Sequence, residues 1–550
     1  MKKPWFGQKD PPVTAAQLSS KRQFDAIVIG GGHNGLVCAS YLARSGMDVL
    51  VLEARAVVGG AAVTQELTDA FQVSTCAHIT QGLHPNIVRD LKLAKHGLHY
   101  VVRDMTSIAP DGEGNIIRLG TDLRKTQSSI QSLSQTDAEA FPRFYERLLS
   151  YSELLGQFLI SEPPRLSGVA VADTASWTSV TKSMRKLSVE QESEFLRYLI
   201  AASGDMLDEI FETDLLKGLL AAESVLGIAA GPRSPNSMLN LLYRLSGRTS
   251  RSHEALAVPH GGMAALAAAL AKAAEANGAI IRTDSAVASI EIKDGRAHGV
   301  ELAEGGRFTA DLIVSNTDPK TTFLDLVGAQ HLDAGFVKQV HAIRMEGVTA
   351  KLNLALEAVP NFTGMETADL GGRILICPSV DYAERALAPA KYGEIPRQPV
   401  MEITIPSIHD LSLAPLGQHV LSAVVQYIPY DVDGGWEKRK DAFIQYTIDA
   451  LAYYAPNLKD IIIAGDILTP VDIETRFGLR GGHWHHGELA LDQFGSLRAL
   501  AGSSSYETPI PGLFLCGAGT HPGGGLTGIA GMNAAQHIMT KAKASAGEQA

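Results

Sequence analysis

Three histidines stand within four positions, His483, His485 and His486, with Arg480 and Asp492 close by and His521 farther on inside a glycine-rich stretch. An imidazole changes charge near neutrality, so these side chains could carry a proton beside a redox centre or hold a substrate in place. Packing of a loop over a larger ligand is an equally simple use for them. A metal centre is not expected, because no carboxylate or cysteine completes an evident ligand set. His483, His485 and His521 are therefore the candidate catalytic residues.

Such groups act only if something holds a reactant against them, and the segment Phe24–Gly35 offers the means. Its apolar run predicts a buried strand that enters a glycine turn, then a helix from Leu36 to Arg44 that Gly46 ends. Gly30 suits the tight turn, Gly32 the close approach of backbone to a pyrophosphate, and Gly35 the packing of helix on sheet. His33 and Asn34 fall inside this phosphate loop, and the helix points its positive end at the phosphates. A second strand, Asp48–Leu52, ends on Glu53, at the spacing of an acid that hydrogen-bonds an adenosine ribose. An acid there disfavours a 2′-phosphate, so NADP is not expected at this site.

The same device recurs at Gly512–Gly531, where a strand, a glycine turn and a helix predicted from about Leu526 follow one another. A second anchor at the far end of the chain calls for a cofactor longer than NAD. A helix start aimed at a group that gains negative charge fits the pyrimidine edge of a reduced flavin. FAD accounts for both turns.

The remaining chain must supply walls. At 550 residues two or more domains are expected, and 45% hydrophobic with 19% charged residues describes a folded protein. A net charge of −11 without a basic stripe argues against a nucleic-acid partner. The four cysteines, Cys38, Cys76, Cys377 and Cys516, show no CxxC spacing, which suits a reducing compartment and offers no redox-disulfide motif. No apolar run is long enough to span a bilayer, which leaves peripheral membrane contact open.

From Thr136 to Leu245 the apolar spacing predicts helices, including Phe144–Leu149 and Glu209–Leu220, as a cap. Val258–Met263, in which His260 orders the turn, opens a helix over Ala264–Ala276. A strand pattern over Ile280–Ile290 and a buried strand over Asp311–Asn316 follow. Short β-branched runs such as Val400–Pro406 and His419–Tyr427 predict an antiparallel sheet within Ala350–Tyr430. The resulting division is a mobile tail over 1–23, FAD-binding parts over 24–110, 255–345 and 466–550, a helical cap over 111–254, and a substrate sheet over 346–465.

These motifs together, Gly30–Gly35, Glu53–Thr64, Val258–Met263 and Gly517–Gly525, supported by Ile467–Glu474 and Gly481–Gln493, resemble the phytoene-dehydrogenase-related, carotenoid-desaturase-like flavoproteins. The likeness runs from about Phe24 to about Ile538. It implies an α/β fold: a discontinuous Rossmann-type FAD-binding domain, glutathione-reductase-like, with an inserted substrate domain of mixed sheet plus helices. It further implies that Gly30, Gly32 and Gly35 hold the pyrophosphate, with Glu53 and Ala54 at the ribose. Arg55, Gly59, Gly60 and Ala61 would flank the phosphate side, and Val287 would offer backbone to the adenine. Gly517, Ala518, Gly519, Gly525, Leu526 and Thr527 would surround the flavin ring. Ala61 and Ala62 follow the glycine pair where many relatives carry a polar residue, which resembles one subgroup and departs from the amine oxidases.

The implied activity is FAD-dependent dehydrogenation or isomerisation of C–C bonds in a hydrophobic, isoprenoid-like or lipid substrate, by hydride transfer at flavin N5. Two alternatives stay open: amine oxidase-like C–N oxidation, which an aromatic cage and a lysine–water pair would favour, and a non-catalytic flavoprotein that acts through protein partners. Lacking paired cysteines and a second complete glycine unit, the chain is expected to pass electrons to oxygen, a quinone or another carrier rather than to a pyridine nucleotide. Its expected compartment is the cytoplasm, or the mitochondrial matrix in a eukaryote.

Overall fold

The computed structural model describes residues 22–163, 182–246, 256–500, 503 and 505–547. The first strand, Gln23–Ile29, pairs in parallel with Val49–Leu52 on one side and Arg307–Ser315 on the other, and Ile280–Arg282 lies parallel beyond Val49–Leu52. The far edge of Arg307–Ser315 meets two strands in succession. Its first residues run antiparallel to Arg296–Leu302, and its last run parallel to Leu513–Leu515. Val287–Lys293 completes this seven-stranded sheet.

Both faces of this sheet are buried, which is why its strands read as near-continuous aliphatic runs. Ala26, Val28, Val49 and Val51 pack with helices His33–Arg44, Met263–Ala276 and Ile529–Gly547, whereas Ile27, Ile29, Leu50 and Leu52 face a separate core with Phe323, Leu513 and Leu515. Sequence-distant cysteines meet here: the Cys38 and Cys516 thiols form a hydrogen-bonded pair, and burial pushes Cys516 well above the usual thiol range. All four cysteines are free and buried.

The second sheet runs Ile462–Leu468, Thr349–Leu356, His419–Gln426, Met401–Thr404, Arg373–Ile376, Ser107–Pro110, Ile116–Leu119. It is mixed rather than purely antiparallel, because Arg373–Ile376 pairs in parallel with Ser107–Pro110. Alternation divides its residues. Leu352, Leu354, Ile403, Ala423 and Val425 enter a large core shared with the helices Gln135–Leu159, Asp214–Val225 and Ser237–Leu245. Lys351, Asn353, Glu402, Thr404 and Ser422 occupy the intervening positions.

Several predicted elements shift for identifiable reasons. The helix expected over Glu209–Leu220 breaks at Phe211–Thr213 into Ser203–Ile210 and Asp214–Val225. The Asp137 carboxylate there accepts the amides of Glu212 (2.9 Å) and Thr213 (2.8 Å), holding the break in an extended turn from another element. The strand pattern over Ile280–Ile290 splits in two, because Asp284 (φ 49°) and Ser285 turn aside to donate their amides to the carbonyls of Arg55 and Glu53. The helix expected from Leu526 begins at Ile529, since Gly528 (φ 69°) is left-handed and cannot continue one. The first helix starts earlier than expected, at His33, with Gly32 as its cap. The expected mobile tail falls on residues outside the described set up to position 21, and Gln23 already belongs to the first strand.

The C-terminal helix is tied down by His537, whose Nδ1 lies 3.1 Å from Glu162 and whose Nε2 lies 2.8 Å from Glu507. Burial pulls this imidazole down, but hydrogen bonds to the two carboxylates prevail and hold it up at about 9. Because the folded value exceeds the unfolded one, the stabilisation is complete below about 6.5 and is lost as pH rises through about 9. Thermal unfolding should therefore show a fall of at most about 3 kcal/mol across that alkaline window, absent from His537→Gln.

Candidate functional site

One cavity of about 340 Å³ runs along the carboxyl ends of the parallel strands, from the first glycine turn to the cavity-facing side of the second sheet. Ligands of open α/β sheets bind at this edge. Its walls include Gly30, Gly32, His33, Asn34, Glu53, Ala54, Arg55, Gly60, Ala61 and Val287 at one end, and Ala518, Gly525 and Leu526 with His485 toward the other.

At the first end the glycines are required sterically. A Cβ on Gly32 would lie 2.8 Å from Asn316 Nδ2, and one on Gly35 would lie 2.2 Å from the Gly30 carbonyl oxygen. Asn316 braces the turn by donating to that same carbonyl at 3.2 Å. Glu53 is nearly buried, with one oxygen accepting the Gly31 amide (2.8 Å) and the other the Arg55 amide (3.0 Å). Each carboxylate oxygen keeps capacity for one further donor. Arg55 donates to the Gly60 carbonyl at 2.8 Å. Gly59 donates its amide to Gly31, so the glycine pair is stitched to the phosphate turn from behind. Gly35→Ala is expected to cost about 1–3 kcal/mol through overpacking. It should lower the flavin-to-protein ratio read at 450 nm, with little change in circular dichroism.

The second glycine turn is joined to the first by His33, whose Nε2 lies 3.0 Å from the Gly525 carbonyl. Gly517 abuts Asn316 backbone, Gly519 abuts Pro319, and Thr527 presents its carbonyl to the His84 amide. Gly35, Gly59, Gly517, Gly519 and Thr527 thus stand behind the cavity wall rather than on it. Tyr243 donates to the Gly524 carbonyl at 2.6 Å. Arg498, 2% exposed, donates to the backbone carbonyls of His485, Gly487, Glu488, Gln493 and Ala518. A single guanidinium therefore fastens the histidine loop to the second turn.

The histidines separate by depth. His485 and His486 line the cavity. His483 lies behind them: its Nδ1 accepts the His485 amide (3.2 Å), leaving Nε2 to donate to Glu488 at 3.3 Å. His521 is fully buried beside Phe158, with Nε2 3.3 Å from that residue's carbonyl. Burial lowers His33, His486 and His521 to about 4, and His485 well below its ordinary value. All four are neutral at pH 7. Arg480 and Asp492 point elsewhere, into ion pairs with Asp325 and Arg344.

The structure adds groups that sequence reasoning missed. His78 Nε2 lies 3.1 Å from Glu402 Oε1. Glu402 Oε2 also accepts from Arg373 (2.8 Å) and Arg244 (3.3 Å), and both arginines pair with Glu223. His78, Arg244 and Glu402 line the cavity. Lys351 is buried beside Cys76 and Glu402, its Nζ has no hydrogen-bond partner, and burial drives it down to about 7. His78 and Glu402 are 324 positions apart, so no local spacing could pair them. The available signal was a charge inside an apolar strand run, Glu402 between Met401 and Ile403.

The residues present fit FAD. Two turns whose glycines cannot bear side chains face one cavity, the buried Asn34 Oδ1 lacks a partner there, and Glu53 retains acceptor capacity at the strand end. Comparison with known proteins agrees. Residues 35–362 match the family model described as flavin containing amine oxidoreductase. The chain is 36% identical to mouse pyridine nucleotide-disulfide oxidoreductase domain-containing protein 2, over 95% of this chain and 94% of that protein. It is 30% identical to a limonene dehydrogenase polypeptide of Castellaniella defragrans, over 95% of each. Carotenoid desaturases are more distant relatives, at 25% identity. Among solved structures, putrescine oxidase bound to putrescine shares the fold, with a TM-score of 0.58, 15% identity, and coverage of 95% of this chain and 99% of that one. The chain belongs to the flavin containing amine oxidoreductase family and is an FAD-dependent oxidoreductase.

Proposed function

We propose that the protein dehydrogenates or isomerises C–C bonds of a hydrophobic, isoprenoid-like or lipid substrate. The observation that carries this reading is the continuity of the cavity, which leads from the dinucleotide turn onto a wall of Ile79, Leu256, Val424, Leu479 and Trp484. FAD, when bound, supplies the two-electron acceptor. The chain's own part is to exclude water with this wall, to orient an apolar body, and to offer neutral His485 and His486 as proton acceptors. His483 fixes the loop, and His521 acts as a structural brace.

The parallel strands with an antiparallel meander on their edge support a glutathione-reductase-type cofactor domain, and the second sheet with its helices serves as the substrate domain. No helix among the described residues is long and apolar enough to cross a membrane. Four unpaired thiols suit a reducing compartment, the cytoplasm or an organelle matrix. The relatives named limonene dehydrogenase and phytoene desaturase favour isoprenoid substrates.

C–N oxidation is the second reading, favoured by the family's name and by the buried Lys351. Against it, the only Phe, Tyr or Trp residues among the described lining are Phe477 and Trp484, and the Phe477 ring is taken up by the Arg55 guanidinium at 5.5 Å. Purified yellow protein should release a polyene or acyl compound that mass spectrometry identifies, and anaerobic addition of such a compound should bleach the flavin. Bleaching by simple amines alone would favour the second reading. Rapid bleaching by NADH or NADPH in stopped flow would overturn the assignment of a non-nicotinamide electron carrier.

A further inference from the structure

A second cavity, of about 50 Å³, adjoins the apolar wall of the first. Among the described residues only Leu256 lines both. Beside it stands an ion pair: Arg244 lines the first cavity, Glu223 lines the second, and the two are joined at 3.0 Å. Leu256 is therefore the apolar element that the two spaces share.

The backbone at this position is held independently of the side chain. Leu256 opens strand Leu256–Pro259, pairs with Gln81 of the first cavity's lining, and gives its carbonyl to the amide of Met105, in the second cavity's lining, at 3.2 Å. Next to it the Thr80 hydroxyl donates to the Ala257 carbonyl at 2.9 Å. The Leu256 side chain packs with Ile79, Met105 and Val258 in a small core of its own. Shortening it opens the partition and leaves the strand in place.

The space behind suits hydrocarbon. Leu148, Leu219, Leu220, Leu241 and Leu245 line it from three cap helices. Two of its polar groups are already engaged, since Glu223 and Ser107 both accept from the Arg373 guanidinium. Close-packed interiors leave few voids larger than a water molecule, and this one exceeds that size several-fold.

We propose that Leu256 is the stop that sets how long an apolar substrate the cavity takes, and that the leucine-lined space behind it admits a longer chain once that side chain is shortened. The proposal rests on the apolar-substrate reading above and adds a length limit to it. Each buried methylene raises affinity by about fourfold. Binding of a homologous series therefore climbs steeply until the chain meets Leu256, and then breaks.

The test uses the FAD-loaded protein and geraniol, farnesol and geranylgeraniol, each one isoprene unit longer than the last, titrated while the visible flavin spectrum is followed. In the wild type, affinity should rise tenfold or more per unit up to a break, beyond which the next member gains less than twofold or binds more weakly. In Leu256→Ala that next member should gain tenfold or more, while the members below the break change less than threefold. Leu256→Phe should weaken the longest member that the wild type takes by tenfold or more. A wild-type series that is flat or climbs without a break, or a flavin-loaded variant that leaves the series unchanged, would overturn the proposal while leaving the apolar cavity intact. If no member perturbs the flavin, the apolar-substrate reading itself falls and takes the proposal with it. Should Leu256→Ala lose its flavin, Leu256→Phe still decides.

Discussion

Arg498→Met is expected to yield protein that is colourless, or loses its flavin on gel filtration, and that unfolds well below the wild type. The guanidinium donates to five carbonyl oxygens, of His485, Gly487, Glu488, Gln493 and Ala518; methionine can satisfy none, and of the five only Glu488 keeps a side-chain donor, Gln493 Nε2. Each buried acceptor left without a donor costs about 1–3 kcal/mol, so partial relaxation still leaves a loss of at least about 3 kcal/mol against a total stability of about 5–15 kcal/mol. The damage is local to the cofactor, because the carbonyls lie on the histidine loop and on Ala518 in the cavity wall. Arg498→Lys should fall between, since an ammonium retains three donors but cannot span a fork. Absorbance at 450 nm relative to 280 nm, together with thermal unfolding, reads both effects. Wild-type flavin content and melting in Arg498→Met would show that the loop holds itself.

Acidification should release the cofactor in a steep step between about pH 6.5 and 4. Burial lowers His33, His78, His486 and His521 to about 4, and His485 well below its ordinary value. For a group whose folded value lies below its unfolded one, the unfolded chain binds protons first. Stability is therefore complete above about 6.5 and falls as pH drops toward 4. Each shift of this size corresponds to at most about 3 kcal/mol, and four of the five side chains border or join the cofactor turns. His537 does not oppose the trend, because its contribution is already complete below 6.5. Flavin fluorescence, quenched while bound and bright when free, should rise sharply in this window at fixed ionic strength. A flat trace down to pH 4 would mean that the imidazoles are solvated or paired in a way the structure does not show.

What the sequence made legible was local. The spacing of Gly30, Gly32 and Gly35, followed by Glu53 at the next strand end, identifies the dinucleotide turn because backbone approach and helix packing act over a few residues. The same local device, a strand, a glycine turn and a helix start over Gly512–Gly531, made the second turn legible, now joined to the first through His33 and Gly525. Long-range determinants were out of reach. Nothing near Glu212 signals that Asp137 will end a helix there, and nothing near Cys38 announces Cys516. The cluster of His78, Arg244, Glu402 and Lys351 belongs to the same class, since three of its members come from different strands or helices of the substrate unit and His78 from a loop. Only the charge set inside the apolar runs of Thr349–Leu356 and Met401–Thr404, Lys351 and Glu402, left a trace that could have been read. The histidine cluster drew notice first because it is compact in sequence, yet only His485 and His486 of it reach the cavity.

The position of Leu513–Leu515 beside Arg307–Ser315 has a consequence for biogenesis. While a ribosome is still making the chain, the parallel sheet has an open edge and the second turn does not exist. At about 5–20 residues per second, roughly 10–40 s pass between synthesis of Arg307–Ser315 and synthesis of that strand. The two-turn grip on the coenzyme cannot close before that strand is made, and for that interval the nascent polypeptide leaves part of an aliphatic β-edge unpaired.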